Sequence, residues 1–308
     1  MKRRAAKRSA PLSFQDEIAE VGRFIEARIG GLSGALPQPV PQRLKESMLY
    51  SLTAGGKRLR PILCLKAAEV FGMPWERAIS LALGYEMVHT SSLIHDDLPS
   101  IDNDDLRRGK PTNHVVYGES LAIFAGDALM AWAFEYPIAA LAKAKVPSGR
   151  VCRAMGIMAN SLGPFGVYAG QVLDTDLESM EAGDDFPFKV AARKTGTLIA
   201  ACVESGAVIG GAKRRASAAF RMYGMHLGIA FQIVDDILDE TSSAQELGKT
   251  PGKDVAQNKR TFVSVYGLEE ARRLALTESK RAVDALRVVG GDTRFFSALS
   301  DHLVERTR

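Results

Sequence analysis

The chain has 308 residues, of which 46% are hydrophobic, enough for one large domain or two ordinary ones with a substantial core. Its formal charge is +4, but Lys2, Arg3, Arg4, Lys7 and Arg8 supply five of the cations, and without them 35 basic residues face 36 acidic ones. A near-neutral body gives no electrostatic footprint for nucleic acid and excludes that partner class on charge.

Residues 1–10 read as a basic, disordered tail rather than a secretory signal, since they lack an apolar stretch. Residues 11–308 read as a single domain. Alanine, leucine and charged residues recur at three- and four-residue spacing and alternating polarity is scarce, so the fold class is all-α, one large helical bundle. Breaks are expected over Gly30–Pro41, at Gly72-Met73-Pro74, at Pro147-Ser148-Gly149, over Glu181–Pro187 and near Ser242–Gly252. The segments Ala78–Ile94 and Leu227–Leu238 are apolar on every side, the mark of buried bundle helices. The stretch around Leu121–Ala142 is interrupted by Asp127, Glu135 and Pro137, so no stable membrane insertion is expected. Cys64, Cys152 and Cys202 stand far apart among aliphatic or small residues and read as reduced core thiols of a cytoplasmic protein.

Each buried segment runs straight into aspartates. The first cluster is Asp96-Asp97-Leu98-Pro99-Ser100-Ile101-Asp102-Asn103-Asp104-Asp105, and the second is Asp235-Asp236-Ile237-Leu238-Asp239. Asp235 and Asp239 are four apart and share a helix face. Asp96 and Asp102 are six apart around Pro99, so a bulge or kink is expected there. Either cluster alone fits a solvated acidic helix end. Two clusters, each capping an apolar helix, fit a metal site better, because hard cations offset the repulsion and bridge to phosphate oxygens.

Cations alternate with these carboxylates along the chain. Gly55-Gly56-Lys57-Arg58-Leu59-Arg60 places two glycines ahead of three cations, without the spacing of a P-loop. Arg107 and Arg108 follow the first cluster, Lys194-Thr195-Gly196 precedes the second, and Lys249, Lys253 and Lys259 come after it. That order suits two diphosphates, one held through metals and one directly by cations.

From about Tyr50 to Lys259 these motifs resemble, in order, those of the trans-isoprenyl diphosphate synthases. The segment from Ser92 to His114 is similar to the bacterial and plastid type of farnesyl and geranylgeranyl diphosphate synthase, whose first aspartate motif carries a two-residue insertion. Gly126-Asp127, Gly170-Gln171 with Asp174, Phe231-Gln232 and Gly248-Lys249 match further family landmarks.

The resemblance implies a helical bundle of the isoprenoid synthase type around a central cavity. It implies a homodimer, and three magnesium ions per active site as cofactors. Its substrates would be isopentenyl diphosphate and an allylic diphosphate. Asp96 and Asp102 would ligate magnesium on one wall, with Asp97 beside them. Asp235, with Asp236 and Asp239, would ligate it on the other, so that Asp96, Asp102, Asp235 and Asp239 form the metal set. Lys57, Arg60, His89 and Arg108 would hold isopentenyl diphosphate. Arg107, Lys194, Lys249 and Lys259 would hold the allylic diphosphate, with Thr195 and Gln232 lining the position of the cation.

One helical turn rises 5.4 Å, about the length of an isoprene unit, so depth along the helix before Asp96 counts condensations. In the family a bulky aromatic five residues before the first aspartate stops growth at fifteen carbons. Here Ser91 stands there beside Ser92, and Met87 and Val88 lie one turn deeper, with Phe124, Met130, Trp132 and Phe134 as possible walls. The expected product is geranylgeranyl diphosphate; the alternative is a farnesyl limit set by another side chain. A terpene cyclase would not need the Gly55–Pro61 segment, and a non-catalytic subunit would be expected to lack ligands from one motif.

Overall fold

The computed structural model describes residues 13–36, 39–175, 183–241 and 260–306. The tail expected over residues 1–10 lies outside them, as do Lys249 and Lys259. The all-α expectation holds.

Helix α1 (Phe14–Gly30) starts where Ser13 Oγ accepts the N–H of Asp16 at 3.1 Å, and it buries Val21, Ile25 and Ile29 at four-residue spacing. Helices α2 (Gln42–Leu52) and α3 (Leu59–Glu69) follow, then the Gly72–Pro74 turn and α4 (Trp75–Asp96). At 22 residues α4 is about 33 Å long, and every residue from Ser80 to Val88 is buried. A two-stranded hairpin comes next, with β1 (Leu106–Arg107) antiparallel to β2 (Lys110–Pro111). Its two central residues, Arg108 and Gly109, have φ of 53° and 72°, the conformation that a tight right-twisted hairpin requires.

Helix α5 (Asn113–Tyr117) is short, and α6 (Glu119–Lys143) lies along α4. Residues 119–143 form one unbroken helix, long and apolar enough to cross a membrane by length and composition alone, with Asp127, Glu135 and Pro137 all inside it. Pro137 is accommodated inside it because its buried ring fits over Gly84, where a β-carbon would approach the ring to 2.8 Å. Helix α7 (Ser148–Leu162) and α8 (Val167–Thr175) then lead to α9 (Phe186–Ala191).

A π-helical turn over Ala192–Gly196 joins α9 to α10 (Thr197–Gly210), which is buried from Leu198 to Val203 on every side. Helix α11 (Arg214–Thr241) crosses α10 closely: a β-carbon on Gly224 would meet Ala200 Cα at 2.4 Å. Helices α12 (Phe262–Tyr266), α13 (Leu268–Ala285) and α14 (Arg294–Glu305) complete the bundle. Tyr223 of α11 donates its hydroxyl to Phe296 O at 2.9 Å and packs edge-on against that ring. Cys64 and Cys202 are core thiols as expected; Cys152 is exposed on α7, where its aliphatic neighbours in sequence turn inward and it does not.

Candidate active site

The first aspartate cluster sits at the end of α4. The helix stops at Asp96 instead of kinking at Pro99, and the chain folds back in a compact turn. Leu98 N–H bonds to His95 O at 3.1 Å, Ile101 N–H to Leu98 O at 2.9 Å, and Asp102 N–H returns to Asp96 O at 2.9 Å. Terminating the helix therefore does what a kink was expected to do: it brings Asp102 back beside Asp96 across six residues. Burial pushes the Asp96 carboxyl up to about 6, the charge of Lys194 opposes that shift, and the nearby Asp102 carboxylate adds to it.

Asp97, the next residue, is buried and accepts Arg107 Nε at 2.5 Å, while Arg107 Nη2 reaches Asp104 at 3.3 Å. Burial pushes Asp97 up to about 6 as well, against the pull of Arg107. Asp97 thus holds the hairpin to α4, and Arg107 is engaged by carboxylates.

The second cluster stays within continuous α11, so Asp235 and Asp239 share a face without any turn. Asp236 is buried and committed to the fold, accepting Gln232 Nε2 at 2.9 Å and the backbone N–H of Phe262 at 2.9 Å. Thr195 Oγ1 donates to Gln232 Oε1 at 3.0 Å, which ties the π-helical turn to α11. π-Turns of this kind recur at functional sites because the extra residue re-aims a side chain. Here the turn carries Lys194, whose Nζ donates to Asp174 Oδ2 at 2.5 Å and whose charge acts on Asp96.

A basic pocket lies beside the second cluster. Gly55 and Gly56 have φ of 86° and 128°, and a β-carbon on Gly56 would lie 2.6 Å from Arg108 Cζ. Arg108 Nη1 donates to Gly55 O, so the hairpin and the glycine loop form one surface. Asp235 acts on both Lys57 and Arg60, which links this pocket to α11. Arg60 Nε is buried without a protein partner among the described residues. His89 is driven well below its ordinary value by burial and by Arg60, Arg108, Arg107 and Arg58, so its ring is neutral at pH 7. Arg58 departs from the sequence expectation, because it turns inward and is only 4% exposed.

Two acids have roles that the sequence pattern does not reveal. Asp174, a family landmark in sequence, is the partner of Lys194. Glu86 is buried at 1% exposure within apolar α4, and an acid amid nine buried positions was the available signal.

Among the described residues, no three acidic, histidine or cysteine side chains converge to hold a metal by themselves. The donor set nevertheless suits a hard cation. Asp96 is a desolvated carboxylate crowded by Asp102, a charge that a cation relieves, and magnesium would take its remaining ligands from water and phosphate.

Ser91 is fully buried and donates its hydroxyl to Gly126 O of α6 at 2.8 Å, and Ser92 donates to His89 O at 2.9 Å. Met87 and Val88 are buried one turn deeper. Phe124 is 60% exposed on the outer face of α6, so it does not wall the interior as the sequence reading allowed; Trp132 is buried.

Residues 41–286 match the model of the polyprenyl synthetase family. A dimethylallyltranstransferase of Fischerella ambigua (strain UTEX 1903) is 42% identical, over 97% of this chain and 85% of its own. A geranylgeranyl diphosphate synthase of Cyanophora paradoxa is 42% identical, over 89% of this chain and 91% of its own. The crystal structure of geranylgeranyl pyrophosphate synthetase from Pyrococcus horikoshii Ot3 superposes with a TM-score of 0.83 at 28% identity, covering 95% of this chain and 99% of the other. With a family match over most of its length, relatives above two-fifths identity and this arrangement of acids and cations, the chain belongs to the polyprenyl synthetase family and is a short-chain prenyltransferase.

Proposed function

We propose that this chain condenses isopentenyl diphosphate with allylic diphosphates up to farnesyl diphosphate, releasing geranylgeranyl diphosphate. The observation that carries the reading is the pairing of acids with separate sets of cations. Asp96 lies near both Asp102 and the charge of Lys194, while Asp235 lies toward Lys57 and Arg60. One diphosphate fits each set.

Three magnesium ions are the proposed cofactors, held by Asp96 and Asp102 on one side and by Asp235 and Asp239 on the other. Bound there, magnesium offsets the charge that builds on a departing diphosphate. The chain's own residues do the rest. Lys194 holds the allylic diphosphate, and Arg107 joins it from the Asp97 pair. Lys57, Arg60, His89 and Arg108 receive the homoallylic diphosphate, with Arg60 Nε an unmatched donor suited to a phosphate oxygen. Thr195 and Gln232, joined by their own hydrogen bond, would line the position of the allylic cation. The alkene of isopentenyl diphosphate attacks that cation, forming a carbon–carbon bond, and the released diphosphate takes the proton that is lost.

The small Ser91 supports a twenty-carbon product, since its side chain adds no bulk one turn and a half below Asp96 and Met87 and Val88 lie beyond it. The name of the Cyanophora relative agrees with that length. A homodimer is supported by the exposure of large apolar side chains on α5, α6 and α8, where Val115, Ile123, Phe124 and Tyr168 are between 41% and 60% exposed. A second copy of the chain would cover them.

The test is to incubate the purified protein with magnesium, isopentenyl diphosphate and, separately, dimethylallyl, geranyl and farnesyl diphosphates, then size the products by mass spectrometry. A dominant twenty-carbon product from all three primers is expected. Arrest at fifteen carbons contradicts the product assignment, and no condensation with any primer contradicts the activity.

A further inference from the structure

Arg58 lies between two residues proposed to bind diphosphate, yet its side chain points away from them into the protein. Its guanidinium uses all three faces of its fork. Nε donates to Glu26 of α1 at 2.7 Å, Nη1 to Glu86 of α4 at 2.6 Å, and Nη2 to the Leu52 carbonyl at the end of α2 at 2.9 Å. The pair with Glu86 is closed to solvent, both side chains being 2% exposed.

The backbone explains what this clamp holds. Arg58 has φ 48° and ψ 32°, a left-handed conformation that a residue with a β-carbon rarely adopts. Gly55 and Gly56 before it also have positive φ. The Gly55–Arg58 loop therefore has a shape that local preference disfavours, and the three bonds from Arg58 fix it against three helices. Arg108 rests on Gly56 and bonds to Gly55 O, so it follows wherever the loop goes.

Glu86 makes little sense as a matter of charge alone. It is a buried anion that acts on Arg58, Arg60 and Arg108, and a negative charge there opposes the approach of a diphosphate. Its value is geometric.

We propose that Arg58 and Glu86 are positioning residues for the homoallylic diphosphate, acting through the loop that aims Lys57, Arg60 and Arg108. The inference rests on the reading of that loop as the isopentenyl diphosphate site. Neither residue touches substrate.

Charge and geometry predict opposite signs for Glu86→Gln. Removing an anion from beside a diphosphate site lowers KM for isopentenyl diphosphate if charge is all that matters. Loosening Arg58 raises it if position matters, because small misplacements of binding groups are expensive. The experiment measures KM for isopentenyl and for farnesyl diphosphate separately in Glu86→Gln, in Arg58→Lys, and in the double variant Arg58→Met with Glu86→Leu. Lys57→Ala serves as the control for the site itself. The double variant leaves neither charge of the buried pair without its partner.

The expected result is a rise of about ten-fold in KM for isopentenyl diphosphate in all three, with KM for farnesyl diphosphate within about two-fold of wild type. An unchanged or lowered KM in Glu86→Gln overturns the proposal, as does a folded double variant with wild-type KM. Arg58→Lys keeps the charge but not the three-way fork, so wild-type behaviour there also overturns it. Should the double variant fail to fold, the isosteric Glu86→Gln decides the matter by the sign of its shift. A Lys57→Ala variant with unchanged KM for isopentenyl diphosphate defeats the underlying site reading instead, and the proposal with it.

Discussion

The two aspartate motifs solve one problem with different backbones. On α11 the acids at 235 and 239 are brought to one face by helical periodicity alone. On α4 the acids at 96 and 102 are too far apart for that, so the helix ends and a hydrogen-bonded turn returns Asp102 to Asp96. Within each motif the second aspartate has the same fate. Asp97 is buried against Arg107, and Asp236 is buried against Gln232 and the Phe262 amide. The difference teaches that adjacent aspartates in a DD pair are not equivalent: the first faces the proposed metal site and the second fastens that site to the rest of the fold.

The comparison can be broken most sharply at the outward acids. Asp96→Asn and Asp235→Asn should each reduce turnover by about a thousand-fold or more, since they remove charge that stabilises the departing diphosphate. Steady-state rates with saturating substrates check this, and melting temperatures should stay close to wild type. Loss of stability without loss of turnover would reverse the assignment.

The inward acids should behave in the opposite way. Asp236→Ala orphans the Phe262 N–H and one end of Gln232, and should destabilise the protein by about 1–3 kcal/mol. Arg107→Met leaves Asp97 buried without its partner and should also lower the melting temperature. Denaturant titration of both variants sharpens the comparison, because the loss at Asp236 comes from hydrogen bonds and that at Asp97 from a charge.

A smaller effect is expected at Ser91. Ser91→Phe should shift the dominant product from twenty to fifteen carbons, read by mass spectrometry, with condensation retained. Ser91→Ala loses only the bond to Gly126 O and should cost about 1 kcal/mol of stability with product length unchanged. A twenty-carbon product from Ser91→Phe would put the floor elsewhere.

Much of this site was legible because its signals are local. Four-residue spacing placed Asp235 with Asp239, and apolar helix running into acid marked both walls. The division of labour inside each DD pair was not legible. Asp236 is turned by an amide 26 residues away and Asp97 by an arginine 10 residues away, contacts that no periodicity encodes. Arg58 reads as a third phosphate cation for the same reason, since its partners Glu26 and Glu86 are 32 and 28 residues distant. Pro137 interrupts the apolar stretch in sequence, yet Gly84 on the neighbouring helix leaves room for its ring and α6 continues. The π-turn at Lys194 also escapes a reading by 3.6-residue period, and its close fit at Gly196 is against Gly228, 32 residues away.

The most direct test of the account is magnesium-dependent binding of inorganic diphosphate, measured by calorimetry on Asp235→Asn and Asp236→Asn. The account predicts that Asp235→Asn abolishes the magnesium-dependent heat, while Asp236→Asn keeps it and unfolds at a lower temperature. Equal loss of binding in both variants would contradict the division of each aspartate pair into one metal-facing and one fold-facing residue.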